Sequence, residues 1–254
     1  MKINDVYKML DDYAPFGLSD KLVAAEGGYD NSGIINSVDG DITGILFALD
    51  LSVPAVERAK AEGCNLIVTH HPAIYHPIKK MGGALKKAVE NGIGVISCHL
   101  NLDCAERGID YWFAKGLGAK KQEILLKLSD REEGYGRLFF LGESLGDIRR
   151  RAEETFNTTV LCYGPESKHI NSVASFCGAG LGDKEAETEC DLLCSADVDH
   201  HVILSAVEQG KTLLVFTHYA CENYGLKKLY VAFSTFEGYD ENVKLYYFDD
   251  ARLF

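Results

Sequence analysis

The sequence predicts an α/β protein, a mostly parallel sheet covered by helices and arranged as two α/β lobes. Two observations carry this. Short apolar runs alternate with helix-like segments in the first half, and the same rhythm returns near the end after a middle stretch of different flavour. The 254 residues suffice for a sizeable core, and a hydrophobic content of 46% with 25% charged residues is ordinary for a globular protein.

The elements follow in order. MKINDVYKMLDDYAPF reads as an amphipathic helix carrying acids, without the basic region and apolar core of a signal peptide. ITGILFALD is a strand. Ser52 then caps a helix with Pro54 in its first turn, and Gly63 closes it. NLIVTHH is the next strand, a helix runs from about Gly83 to Glu90, and GVISCHLNLD follows. In the middle, GRLFFLG reads as a strand, ESLGDIRRRAEETFN as a helix capped by Ser144, TTVLCYG as a strand, and HINSVASFCGAGLG as a strand with a tight glycine-rich turn. The alternation returns with DLLCSAD, the helix DVDHHVILSAVEQG, KTLLVFTHYACE as strand into helix, a helical LKKLYVAFSTF and a last strand, VKLYYFDD. Within a single domain of residues 1–254, lobe one is expected at about 1–124 plus 186–254 and lobe two at about 125–185.

Charge and cysteine usage narrow the function. With 38 acids against 26 bases the net charge is −12, which disfavours a sequence-independent grip on nucleic acid. The pairs Lys79-Lys80 and Lys86-Lys87 read as solvated surface. No apolar stretch approaches a membrane span. The eight cysteines show no C-x-x-C and several lie in apolar runs, so they read as buried, reduced thiols of a cytoplasmic protein; Cys190-x3-Cys194 has no second pair to make a zinc site. The glycines of GAGLG lack the spacing of a dinucleotide or phosphate loop, and no G-x-S-x-G elbow is present.

One pattern recurs three times. A helix ends on a Glu near a Gly, a short apolar strand follows, and a histidine comes next: Glu62-Gly63 to His70, Glu90-Asn91-Gly92 to His99, Glu208-Gln209-Gly210 to His218. Ligands collect at the carboxyl ends of strands in open α/β sheets. Three parallel strands are therefore expected to carry His70-His71, His99 with Asp103, and His218 with Glu222 to one edge. A lone histidine after a strand is more often a hydrogen-bonded core residue. Three such placements, each with a second imidazole or a carboxylate nearby, favour a metal site, and imidazole with carboxylate suits zinc, iron, manganese or nickel. His218 and Glu222 have the spacing of one helical face. His76 and His169 have no evident partner, and His200-His201 lies near Asp197 and Asp199.

With THHP, HLNLD and THYACE in order, the chain resembles the GTP cyclohydrolase type 2 homolog family, also called NGG-one-interacting-factor-three-like. The resemblance runs from YDNSG (Tyr29 to Gly33) through ILFALDLSVPAVERAKAEGCNLIVTHHP and CGAG to the closing H-Y-x-x-E, nearly the whole chain. It implies a toroidal homohexamer of α/β subunits with two divalent metal ions in each. By matching position, His70 and His218 hold one ion, His71 and Asp103 the other, and Glu222 bridges both. It also implies a nucleotide substrate, GTP with ring opening among the candidates. His99 or His201 then serves as general acid or base. The chain departs from the family pattern at SADVDHH, where His200 replaces an aromatic beside His201, and at Thr217, where a glycine is usual. These departures bear on the substrate pocket. The alternatives are a phosphoesterase, a non-enzymatic metal-binding scaffold or regulator, and, least favoured, a single-strand nucleic-acid binder.

Overall fold

The computed structural model describes residues 1–76 and 78–250, so the last four residues of the expected first lobe lie outside the described residues. The chain divides into two units. Among the described residues, unit 1 is Met1–Ala105 together with 226–250, and unit 2 is Glu106–Gly225.

Unit 1 begins with α1 (Ile3–Tyr13), whose buried side is Ile3, Val6, Met9 and Leu10, the i, i+3, i+6, i+7 pattern of one apolar face. Next come α2 (Gly17–Glu26), the short β1 (Gly33–Asn36) and β2 (Gly44–Ala48). Ser52 caps α3 (Val53–Ala61) as expected, its Oγ accepting from the Ala55 N–H at 3.3 Å. Gly63 follows with a φ of +72°, a left-handed turn that favours glycine. Then come β3 (Leu66–Thr69), α4 (Gly83–Glu90), β4 (Gly94–Ser97) and α5 (Leu100–Cys104).

Unit 2 runs through α6 (Ile109–Gly116), β5 (Glu123–Lys127), β6 (Gly134–Ser144) and α7 (Leu145–Phe156), with Ser144 Oγ capping the Asp147 N–H at 3.1 Å. It continues through β7 (Leu161–Tyr163), β8 (His169–Ser175), α8 (Asp183–Ala186), β9 (Leu192–Ala196), α9 (His200–Glu208) and β10 (Thr212–Phe216). The long α10 (His218–Phe233) starts in unit 2 and ends in unit 1, where β11 (Lys244–Phe248) is the last strand.

Each unit has its own sheet. The first has the order β1-β4-β3-β2-β11 and the second β5-β6-β8-β9-β10-β7. Strands β4, β3, β2 and β11 pair in parallel and β1 is antiparallel on the edge. In the second sheet only β8, β9 and β10 are mutually parallel. The α/β class and the helix-covered sheets are as expected; the sheets are mixed rather than purely parallel, the first being parallel except at its β1 edge.

Two expectations change. The three histidine-bearing strands do not share one sheet: β3 and β4 belong to the first and β10 to the second. Strands β9 and β10, which the sequence reading placed in lobe one, hydrogen-bond in register with β8, so unit 2 extends from 106 to 225 rather than from 125 to 185. The physical reason is that a β-α-β rhythm looks the same whichever sheet receives the strand.

The cores explain why the strand runs are unbroken apolar. Strands β2, β3 and β4 are buried at every position, as expected of parallel strands covered on both faces. One side packs Leu46, Ile67 and Val95 against Val56 and Ala59 of α3 and Ala88 of α4. In unit 2, Leu193 and Leu213 pack against Val202 and Ala206 of α9.

Candidate metal centre

Register places the first cluster. Ala48 pairs with Thr69 and Thr69 with Ser97, so the chain leaves three adjacent parallel strands at one level. The ladder continues a step beyond the strands, with the His71 N–H donating to Leu49 O at 2.9 Å and the Cys98 N–H to Thr69 O at 2.8 Å. Asp50, His70, His71 and His99 therefore emerge together. A buried hydroxyl pair clamps the turn: Thr69 Oγ1 donates to the His71 carbonyl at 2.9 Å and meets Ser97 Oγ at 2.9 Å.

The imidazoles are held by their Nδ1 atoms. His70 is fully buried and its Nδ1 lies 2.7 Å from the Cys98 carbonyl, which can only accept, so Nδ1 carries the proton. The Nε2 of His70 lies 3.6 Å from Asp103 Oδ1 on α5. His71 Nδ1 meets Asp50 Oδ1 at 2.7 Å, and His99 Nδ1 meets Asp30 Oδ1 at 2.7 Å. Burial alone would raise the Asp30 carboxyl, but hydrogen bonds from His99 and Ser32 outweigh it and bring its pKa down to about 2. The rings crowd together, with centroids 5.0 Å apart for His70 and His71 and 5.3 Å for His70 and His99. Ligand atoms of His70, His99 and Asp103 all lie within 4.8 Å of one another, close enough to share a cation.

Unit 2 holds a second cluster of the same design. Asp197 follows β9 and His218 follows β10, and Ala196 pairs with Phe216 across that parallel ladder. His218 Nδ1 meets Asp197 Oδ2 at 2.6 Å, while its Nε2 lies 3.0 Å from Glu222 Oε1, one turn along α10. Asp197 has a φ of +46°, a left-handed conformation unusual for a residue with a Cβ. Gly178 sits at +57°, and a Cβ there would overlap Glu222 Oε1. The Gly178 carbonyl accepts from Ser195 Oγ at 3.0 Å and from the Ala196 N–H at 2.9 Å. Gly178, in the CGAG turn, thus packs closely against the Glu222 carboxylate.

The donor set fits a divalent cation. A carboxylate or carbonyl on Nδ1 fixes the tautomer and turns Nε2 into the ligating nitrogen, the arrangement found around protein metals. Two ligands each about 2.0–2.2 Å from one ion stand roughly 3–3.6 Å apart. The His218–Glu222 and His70–Asp103 separations of 3.0 and 3.6 Å match that spacing.

The expected site residues thus fall into two groups by unit: His70, His71, His99 and Asp103 in unit 1, His218 and Glu222 in unit 2. His201 stands apart, exposed at the start of α9, with Nε2 3.4 Å from an equally exposed Asp183. The sequence reading gave no role to Asp30, Asp50 or Asp197 as imidazole partners. A faint signal existed for Asp50, which ends its strand as His70 ends the next. All eight cysteines are free thiols, and burial raises those of Cys98 and Cys194, and that of Cys64 to about 11.

Fold and site together define a two-unit α/β protein whose strand ends present carboxylate-anchored histidines. The chain belongs to the Duf34/NIF3 (NGG1p interacting factor 3) family, whose model matches residues 1–251. It is 28% identical over 236 residues to a Clostridium acetobutylicum protein named GTP cyclohydrolase 1 type 2 homolog, covering 87% of this chain and 85% of that one. A Methanocaldococcus jannaschii protein of the same name is 28% identical over 240 residues, covering 90% and 93%. Among solved structures, reduced HcgD from Methanocaldococcus jannaschii superposes with a TM-score of 0.80 at 26% identity, covering 98% of each chain. The Staphylococcus aureus hypothetical protein SA1388 shares the fold with a TM-score of 0.83 at 24% identity, covering 98% of this chain and 96% of that one. Among the described residues, no helix is long and apolar enough to cross a membrane.

Proposed function

We propose that the protein is a dinuclear metal-dependent hydrolase acting on a nucleotide or related small molecule, with GTP-cyclohydrolase-like ring opening as the leading reaction. The observation that supports this most is the shared anchoring of His70, His71, His99 and His218 through Nδ1, which leaves four Nε2 atoms as ligating or proton-exchanging nitrogens. In this reading His70, His71, Asp103, His218 and Glu222 are the ligands of two divalent ions, as the family resemblance implies. Zinc, iron, manganese and nickel all suit the set. The relatives named GTP cyclohydrolase 1 type 2 homolog support the substrate class. A toroidal homohexamer in the cytoplasm is the proposed working form.

When bound, the ions supply Lewis acidity, acidifying water and polarising the bond under attack. The protein's part is positional. Asp50, Asp197 and the Cys98 carbonyl hold the imidazoles in one tautomer and one orientation before substrate arrives. His99, its Nδ1 proton committed to Asp30, offers Nε2 to take a proton from the attacking water and return it to the leaving group. His201, exposed on α9, is proposed as the alternative acid–base group or a substrate contact.

The test is turnover of GTP and a panel of nucleotides and phosphoesters after reconstitution with each of the four metals. Metal-dependent product release, abolished in Glu222→Ala with the fold and oligomer retained, is the expected result. A wild-type protein that holds metal yet turns over nothing across the panel would overturn the enzyme reading in favour of a metal-binding scaffold.

A further inference from the structure

Unit 2 contains a cleft of about 200 Å³ between the segment leading into α6, α6 itself, the edge strand β5 and its neighbour β6. Its lining includes four cationic side chains, Arg107, Lys115, Lys120 and Arg137, against two carboxylates, Glu106 and Glu132. A local excess of positive charge stands out in a chain of net charge −12.

Arg137 makes this more than a patch of surface lysines. It is only 2% exposed, on a strand whose neighbours are packed. Its Nε lies 3.3 Å from Asp110 Oδ2 and its Nη2 donates to the Gly134 carbonyl at 3.2 Å. Asp110 is itself shared, its Oδ1 accepting from the Cys177 N–H at 3.1 Å. A guanidinium has five N–H donors. Among the hydrogen bonds of the described residues, none uses Nη1. Glu132 is drawn aside to Lys127 at 3.8 Å, and neither Lys115 nor Lys120 has an ion-pair partner among the described residues.

Size narrows the ligand. Sites for whole cofactors or drug-sized molecules run to roughly 300–1,000 Å³. This cleft suits a few heavy atoms with several acceptor oxygens, matched to a planar donor fork and two flexible ammonium groups. We propose that the cleft binds a phosphate-class oxyanion, either free inorganic phosphate or the terminal phosphoryl group of a larger molecule that extends into solvent. The buried Arg137 forms the floor and Lys115 and Lys120 close over the rim. This site is built wholly within unit 2 and does not depend on the metal reading.

Calorimetric titration of the full-length protein with inorganic phosphate, and separately with adenosine monophosphate, tests it. The expected result is saturable binding at or below about 1 mM, weakened by added salt. In the double variant Lys115→Ala/Lys120→Ala, which leaves the buried Arg137–Asp110 pair intact, affinity should fall by roughly tenfold or more. A His71→Ala protein should bind as the wild type does, which separates this cleft from any phosphate drawn to metal. Tighter binding of the monophosphate assigns the site to a phosphorylated molecule, and inorganic phosphate alone assigns it to the free ion. No heat with either probe up to about 10 mM, or equal affinity in the double variant, overturns the proposal.

Discussion

His71 and Asp50 stand 21 residues apart and meet through an Nδ1–Oδ1 hydrogen bond of 2.7 Å. The contact exists because β2 and β3 are parallel and in register, so both chains leave the sheet at the same level. An imidazole held this way can ligate only through Nε2. Replacing Asp50 with Ala should therefore lower metal affinity by about 10–100-fold without unfolding the protein. Asp50→Asn, which keeps an acceptor, should fall between. Competition with a chromophoric chelator reads the affinity, and thermal melts check the fold. Wild-type affinity in Asp50→Ala would reject the positioning role.

Gly178 should tolerate no side chain. Ala there meets two costs, a φ of +57° and overlap with Glu222 Oε1. A destabilisation of about 1–3 kcal/mol is expected, with weakened metal binding. Gly63→Ala is the control, since its φ of +72° is similar but nothing lies within 4 Å of the added Cβ. It should cost about 1 kcal/mol and leave metal binding unchanged. Equal effects on metal from both variants would show that the Glu222 contact is irrelevant.

Acid sensitivity should follow Asp30. Its carboxyl is depressed from 3.8 to about 2 in the folded protein, against the opposing effect of burial, by bonds from His99 and Ser32. A group depressed on folding adds stability above its unfolded pKa, and that stability is lost as pH falls from about 4 towards 2. Asp30→Asn should be less stable than wild type at neutral pH, and the difference should shrink across that window. Urea midpoints measured at successive pH values check it; a constant difference contradicts the assignment.

The C-terminal half of α10 is held in unit 1 by aromatic packing. Phe47 on β2 is fully buried and meets Tyr230 and Phe233 edge-on, at 5.7 and 5.3 Å between centroids. Phe47→Ala should cost about 3–5 kcal/mol by chemical denaturation. A loss below 1 kcal/mol would mean the site can collapse around the void.

The sequence made some of this legible and hid the rest for physical reasons. His70, His71, His99 and His218 stood out because each directly follows or closely follows an apolar strand, and the caps at Ser52 and Ser144 were readable from local chemistry. Their anchoring partners were not, because the bond from His99 to Asp30 spans 69 residues and that from His218 to Asp197 spans 21. Only sheet register brings such pairs together. Register also decides sheet membership, and nothing local in TLLVF says that it pairs with β9 rather than β3. The antiparallel edges β1 and β5 were missed for a related reason, being short and half-exposed.

The most direct measurement is the metal content of the purified, tag-free protein after reconstitution and desalting, beside His71→Ala and His218→Ala. About two ions per chain in the wild type, reduced in both variants, is the expected result. Retention of no metal under any condition, or equal content in all three proteins, would contradict a metal centre built on these anchored histidines.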